Sequence, residues 1–82
     1  MNETPRHGTA MPHYHFDLVN WKGIAYQGGA DLADDIAAMD SADAIARRLL
    51  GERPELRKRY YAILVTNDDG AEVCRLPLEI IH

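Results

Sequence analysis

Two histidines and an aspartate alternate along the stretch His13–Val19: His13, His15 and Asp17. Side chains at positions i and i+2 of a strand point to the same face, about 7 Å apart. The sequence therefore predicts a strand face on which these three residues could bind a divalent metal or move a proton. A solvated polar face is the alternative, and it is favoured because a structural zinc site needs four ligands and no second clustered pair is present.

Other candidate chemistry is sparse. Cys74 beside a histidine would make a minimal nucleophile–base pair, but no third orienting group is visible. A small core-facing residue is the better interpretation of Cys74. The acidic segments 31–35 and 67–70 lack the alternating ligands and closing glutamate of a calcium loop. We therefore predict that the chain is not an enzyme and that it carries no cofactor.

Basic residues crowd the stretch 47–59 before the last two predicted strands, where Arg57, Lys58 and Arg59 precede Tyr60 and Tyr61. Cations could contact phosphates and the tyrosines could stack on bases. The formal net charge of −4 argues against a general nucleic-acid binder. A nucleic-acid-binding accessory role is thus the second functional prediction, and a metal-binding module is the third.

The opposite side of the first strand is apolar, with Tyr14, Phe16 and Leu18 in alternation. This face is predicted to be the core face. A second, short strand is predicted over Ile24–Gln27, with Gly28 and Gly29 ending it. The segment from Ala30 to Met39 is predicted to be a loop.

One amphipathic helix is predicted after this loop. Asp40 is a good N-cap, and an apolar face follows at the spacing i, i+3, i+4 and i+7. That face consists of Ala42, Ile45, Ala46 and Leu49. Gly51 is placed to end the helix, and Pro54 prevents its continuation. A further turn is predicted over 54–58.

The last third is predicted to be a β-hairpin. The segment 60–66 is rich in β-branched and aromatic residues, and Asn67-Asp68-Asp69-Gly70 is a strong turn signal. The returning strand is predicted over Ala71–Leu76. Pro77 lacks a backbone donor, so that strand should weaken there or lie at a sheet edge.

The order strand, strand, helix, strand, strand predicts an α+β fold of ββαββ order. One mostly antiparallel four-stranded sheet would carry one helix on one face. A single helix cannot cover both faces, so the other face is polar or meets a partner. If Ile63 and Val65 face the helix, Tyr60 and Leu64 lie on the uncovered face. Self-association or binding of another protein there is the leading functional prediction, and scattered exposed apolar residues are the ordinary alternative.

Length and composition set the context. The 82 residues predict a single domain over 11–82, preceded by a disordered extension over 1–10. Cys74 is the only cysteine, which excludes an internal disulfide and is typical of a reducing cytoplasm. The longest purely apolar run, residues 62–65, is far shorter than the ~20 residues of a membrane-spanning helix, so no membrane association is predicted.

The segment Met11-Pro12-His13-Tyr14-His15-Phe16 resembles the opening of a small, mostly alphaproteobacterial domain family of unknown function. The segments 62–70 and 76–78 resemble that family's closing hairpin, and 42–50 its alanine-rich helix. Family members often carry His directly after the Phe, where this chain has Asp17, and a Gly-rich turn where it has Trp21-Lys22. The resemblance implies a fold and a bacterial cytoplasmic context, but no activity.

Overall fold

The computed structural model describes residues 11–81 as one antiparallel sheet with one long helix. The strands are β1 (His13–Asn20), β2 (Gly23–Asp31), β3 (Ala62–Thr66) and β4 (Glu72–Pro77), and the helix is α1 (Asp35–Glu52). Short 3₁₀ helices occur at Pro54–Lys58 and Leu78–Ile80. The strand order is β2-β1-β3-β4, with every neighbouring pair antiparallel. The predicted α+β class and ββαββ order are confirmed, while the predicted extension over 1–10 lies outside the described residues.

The core lies between α1 and one face of the sheet. Tyr14, Phe16 and Leu18 are each only 2% exposed. Phe16 is opposite Val65 and Leu18 is opposite Ile63, and directly opposed residues in a sheet share a face. These five residues belong to one buried cluster with α1. The alternation predicted for β1 and for β3 is therefore confirmed.

Small side chains set the distance between α1 and the sheet. Ala38, Ala42 and Ala46 are fully buried, and Leu50 continues the same row. Their spacing of four residues places them on one helix face. Because alanine contributes only a methyl group, the helix backbone can lie close to the sheet along this row.

The predicted start of the helix was wrong. Helix α1 begins at Asp35, and its N-cap is Asp34, six residues before the predicted N-cap. An Asp34 carboxylate oxygen accepts a hydrogen bond from the Ala37 backbone N–H at 2.8 Å. This is the normal way to satisfy a free donor at a helix start. Asp40, the predicted cap, is an exposed residue inside the helix.

The predicted end of the second strand was also wrong. Gly28 and Gly29 lie within β2, opposite Phe16 and His15 respectively. A Cβ added to Gly29 would lie 2.8 Å from Nε2 of His13. The glycine therefore leaves room for a large neighbouring side chain, and the strand continues to Asp31.

The closing hairpin follows its turn signal. The Asn67 side-chain oxygen accepts from the backbone N–H of Asp69 at 2.9 Å and of Ala71 at 3.0 Å. Gly70 has φ +82°, a conformation that favours glycine. Strand β4 is a sheet edge and ends at Pro77, as the missing donor predicted.

Tyr14 links the sheet to the start of the helix. Its hydroxyl donates to an Asp35 carboxylate oxygen at 2.7 Å. This hydrogen bond is the largest cause that raises the pKa of Tyr14 to about 12, followed by burial and by the negative charges of Asp35 and Asp34. The folded state thus stabilises the protonated hydroxyl of Tyr14 relative to the ionised one.

The raised pKa predicts a loss of stability in alkaline solution. An unfolded tyrosine ionises near pH 10, whereas the folded Tyr14 ionises near 12. The stabilising contribution is complete below pH ~10 and is lost as the pH rises through the folded value. Urea unfolding of wild type and Tyr14→Phe across this interval should show a smaller decline for the variant.

Tyr60 provides the matched control, since its side chain is 73% exposed. The Tyr60→Phe variant should keep the wild-type dependence on alkaline pH. An identical decline in wild type and Tyr14→Phe would contradict the assignment to Tyr14.

Candidate functional site

The surface of the sheet that faces away from α1 is here called the open face. Within residues 11–81, no helix or strand covers this surface. Directly opposed residues on neighbouring strands form rows across it. From the β2 edge, these rows are Asp31–His13, Gly29–His15–Thr66–Glu72, Gln27–Asp17–Leu64–Arg75 and Ile24–Val19–Ala62–Pro77. The open face therefore has a polar half around the histidines and an apolar half around Val19 and Ile24, with Leu64 between Asp17 and Arg75 at the border of the two.

His13 is held in a defined orientation in the polar half. Its Nδ1 lies 2.7 Å from a carboxylate oxygen of Asp31. An ionised carboxylate only accepts hydrogen bonds, so Nδ1 carries the proton. In the neutral ring, the free lone pair is then on Nε2. The pair is open to solvent, with side-chain exposures of 41% for His13 and 65% for Asp31.

His15 lies directly beside this pair. The ring centroids of His13 and His15 are 4.9 Å apart, with the rings inclined at 74°. The two rings border a shallow groove of about 510 Å³. Its lining is polar or glycine throughout: His13, His15, Asp17, Gln27, Gly28, Gly29 and Thr66. Negative charge from Asp17 and Asp31 makes this groove more favourable to a cation than to an anion.

The predicted set of three metal ligands is not assembled within one chain. Among residues 11–81, no group of three or more His, Cys, Asp or Glu side chains is arranged to hold a metal ion. The structure brings His13 and His15 together, while Asp17 does not complete a ligand group with them. The reason is strand geometry, because Asp17 lies another two residues along β1.

Sequence reasoning missed Asp31, the partner of His13. The two residues are opposite each other in the β1–β2 ladder. They are 18 positions apart in the chain, and the predicted second strand ended at Gln27. Extending that strand through the two glycines is the step that would have revealed the pair.

The two predicted interface residues differ in their placement. Leu64 lies on the open face, half-buried, between Asp17 and Arg75. Tyr60 precedes β3 and has φ 61°, so the strand alternation that assigned it to the open face does not apply. The side chain of Tyr60 is 73% exposed, and its role in an interface stays a prediction.

Of the three predicted nucleic-acid-binding residues, Arg57 makes hydrogen bonds within the domain. Arg57 donates from Nη1 to the backbone carbonyl of Ile81, and also to that of Glu79 at 3.5 Å. These bonds tie the 3₁₀ helix after α1 to the end of the described chain. Lys58 and Arg59 are exposed. Binding of nucleic acid by these three residues stays a prediction.

Cys74 packs against the buried cluster, so its interpretation as a core-facing residue is confirmed. Burial is the largest cause that raises the pKa of its thiol, followed by the negative charges of Glu72 and Asp35. A raised pKa keeps the thiol protonated, whereas a nucleophilic cysteine needs the thiolate.

None of the helices in the described part of the chain has the length and apolar character needed to cross a membrane.

One helix on one face of a four-stranded antiparallel sheet, with a polar groove on the other face, defines a small α+β domain. The chain belongs to a family described as a domain of unknown function, DUF6894, whose model matches residues 13–79. The predicted membership of an uncharacterised family is thus confirmed. No curated protein and no solved structure matches the chain.

Proposed function

We propose that this domain is a non-enzymatic interaction module that self-associates through the apolar half of the open face. The observation that carries the proposal is the packing of α1 on one face only, which leaves apolar side chains on the other. Ile24 is 56% exposed, and Val19 and Leu64 are half-buried. Covering such a surface removes apolar area from water, which is the main driving force of protein association.

The charges beside Leu64 favour a second copy of the chain as the partner. Asp17 and Arg75 flank Leu64 in one row across the sheet. A twofold interface presents the same surface on both subunits. A twofold axis that runs parallel to the strands near Leu64 would pack the two leucines together and place each Asp17 beside the partner's Arg75. With this axis, the charges at the two ends of the row are complementary between the two copies.

Size and composition are consistent with this role. A domain of this length buries only roughly 60% of its unfolded surface, so association adds stability where the core is small. The single cysteine supports a reducing cytoplasm as the setting, and the resemblance of the opening and closing segments to a bacterial family supports a bacterial one.

Replacing Leu64 with glutamate tests the proposal. Two introduced carboxylates would meet at the axis, beside the Asp17 carboxylates, and would lose water on association. Association should therefore weaken at least ~100-fold, about 2.7 kcal/mol. Sedimentation equilibrium over a range of chain concentrations measures the dissociation constant.

The matched control is Ile36→Glu. Ile36 is 70% exposed and lies in the first turn of α1, on the other side of the sheet. This variant should associate as the wild type does. A wild-type chain that stays monomeric at millimolar concentration, or a Leu64→Glu chain that associates normally, would refute the proposal.

A further inference from the structure

The orientation of His13 is that of a histidine prepared to bind a metal ion. Metal-binding histidines usually donate their second ring N–H to a carboxylate or carbonyl, which fixes the ring and leaves the other nitrogen free. Here Nδ1 of His13 makes this bond to Asp31 at 2.7 Å. The contact joins two exposed residues, so it is not needed to satisfy a buried group.

Gly29 provides the space that this arrangement needs. Nε2 of His13 lies where it would be only 2.8 Å from a Cβ at position 29. Any other residue at position 29 would push the imidazole away from its place beside His15. The free nitrogen therefore lies in the groove together with the second imidazole, whose centroid is 4.9 Å away.

The chemistry of the groove favours a transition metal over other ligands. Imidazole nitrogens suit Zn²⁺, Cu²⁺ and Ni²⁺, whereas Mg²⁺ and Ca²⁺ prefer oxygen ligands. The carboxylates of Asp17 and Asp31 add negative charge near the two rings, which attracts a cation and repels an anion.

Two imidazoles are too few for a closed site, since Zn²⁺ in structural sites takes four ligands. Within residues 11–81, no third side chain of a ligating type joins them. A second copy that approaches the same open face would bring its own pair. Stacked sheets lie about 10 Å apart, so that imidazoles from both sides can reach the space between them.

We infer that His13 and His15 form half of a transition-metal site. The same two residues of a second copy form the other half, so that four imidazoles bind one metal ion. Each ring binds through a lone pair of a neutral nitrogen, so no bond is broken and no electron is transferred. Asp31 is a positioning residue that orients His13. This inference rests on the proposed self-association, to which it adds a ligand and a means of control.

Zinc alone, added to the full chain, is the appropriate test ligand. Competition with a zinc indicator measures affinity and stoichiometry, and sedimentation equilibrium measures association. We expect one zinc ion for two chains, and a dimer dissociation constant at least tenfold lower with zinc. His13→Ala and His15→Ala should lose both effects. Asp31→Asn should weaken zinc binding by about 10- to 100-fold.

The other two histidines of the chain supply the matched control. His7 and His82 lie outside the described residues. The double variant His7→Ala/His82→Ala removes two imidazoles from each chain, the same number as His13 and His15 supply. It should bind zinc and dimerise as the wild type does. Melting curves without zinc should coincide for wild type, His13→Ala, His15→Ala and Asp31→Asn, because these three side chains are not part of the core.

Four outcomes would decide the matter. Zinc-dependent dimerisation that needs His13 and His15 supports the shared site. A dimer that forms without zinc and binds none overturns the inference and leaves the proposed function in place. One zinc per monomer, or zinc binding that survives both histidine substitutions, also overturns the shared site. A chain that is monomeric with and without zinc overturns both proposals.

Discussion

Replacing Ile63 with alanine is expected to lower the free energy of unfolding by about 2–5 kcal/mol. Ile63 is fully buried and lies opposite Leu18 on one side and Leu76 on the other. Removal of its side chain leaves a cavity in the middle of the sheet's covered face. Small domains have a free energy of unfolding of only about 5–15 kcal/mol, so this is a large part of the total. Urea unfolding followed by circular dichroism measures the difference.

The next residue along β3 is the matched control. Leu64 points to the open face and is half-buried. Leu64→Ala should cost less than about 1 kcal/mol when the chain is dilute enough to be monomeric. An equal loss of unfolding free energy for Ile63→Ala and Leu64→Ala would contradict the difference in burial between the two sheet faces.

Replacing Ala42 with leucine is expected to cost about 1–3 kcal/mol. Ala42 is fully buried at the centre of the alanine row that faces the sheet. Three additional carbon atoms there would push α1 away from the sheet or force strained rotamers. Leucine and alanine have similar helix propensities, so the loss would arise from packing.

Ala44 separates packing from helix propensity. It lies in the same helix, two residues away, and is exposed. Ala44→Leu should change the melting temperature little. A wild-type melting temperature for Ala42→Leu would mean that α1 does not lie as close to the sheet as described.

The sequence predicted the fold class because its strongest patterns are local. Alternation in β1 and β3 and the Asn67–Gly70 turn depend on neighbours within a few residues, and all three appear where expected. The helix boundary was less predictable. Asp34 and Asp40 are equally good caps by residue type, and the decisive difference is that Ala38 is buried against the sheet. That is a tertiary contact. Because alanine is only weakly hydrophobic, its presence in the sequence does not indicate that position 38 is buried.

The candidate site was only half predictable for a related reason. Alternation along β1 correctly placed His13 and His15 on one face. The partner Asp31 depends on how far β2 extends, and its two glycines are poor strand formers in isolation. Gly29 is accommodated because the ring of His13 occupies the space that a side chain at position 29 would need. Cross-strand pairing of this kind cannot be derived from a single segment.

The two borders of the sheet are protected to different degrees. Strand β4 ends in proline, carries Glu72 and Arg75, and has a register irregularity beside Thr66. Proline, charge and bulges are common devices against unwanted strand pairing. Strand β2 has neither charge nor proline from Gly23 to Ala30. Aggregation in a concentrated or partly unfolded sample should therefore begin at β2, and a lysine introduced there is the simplest way to improve handling of the protein.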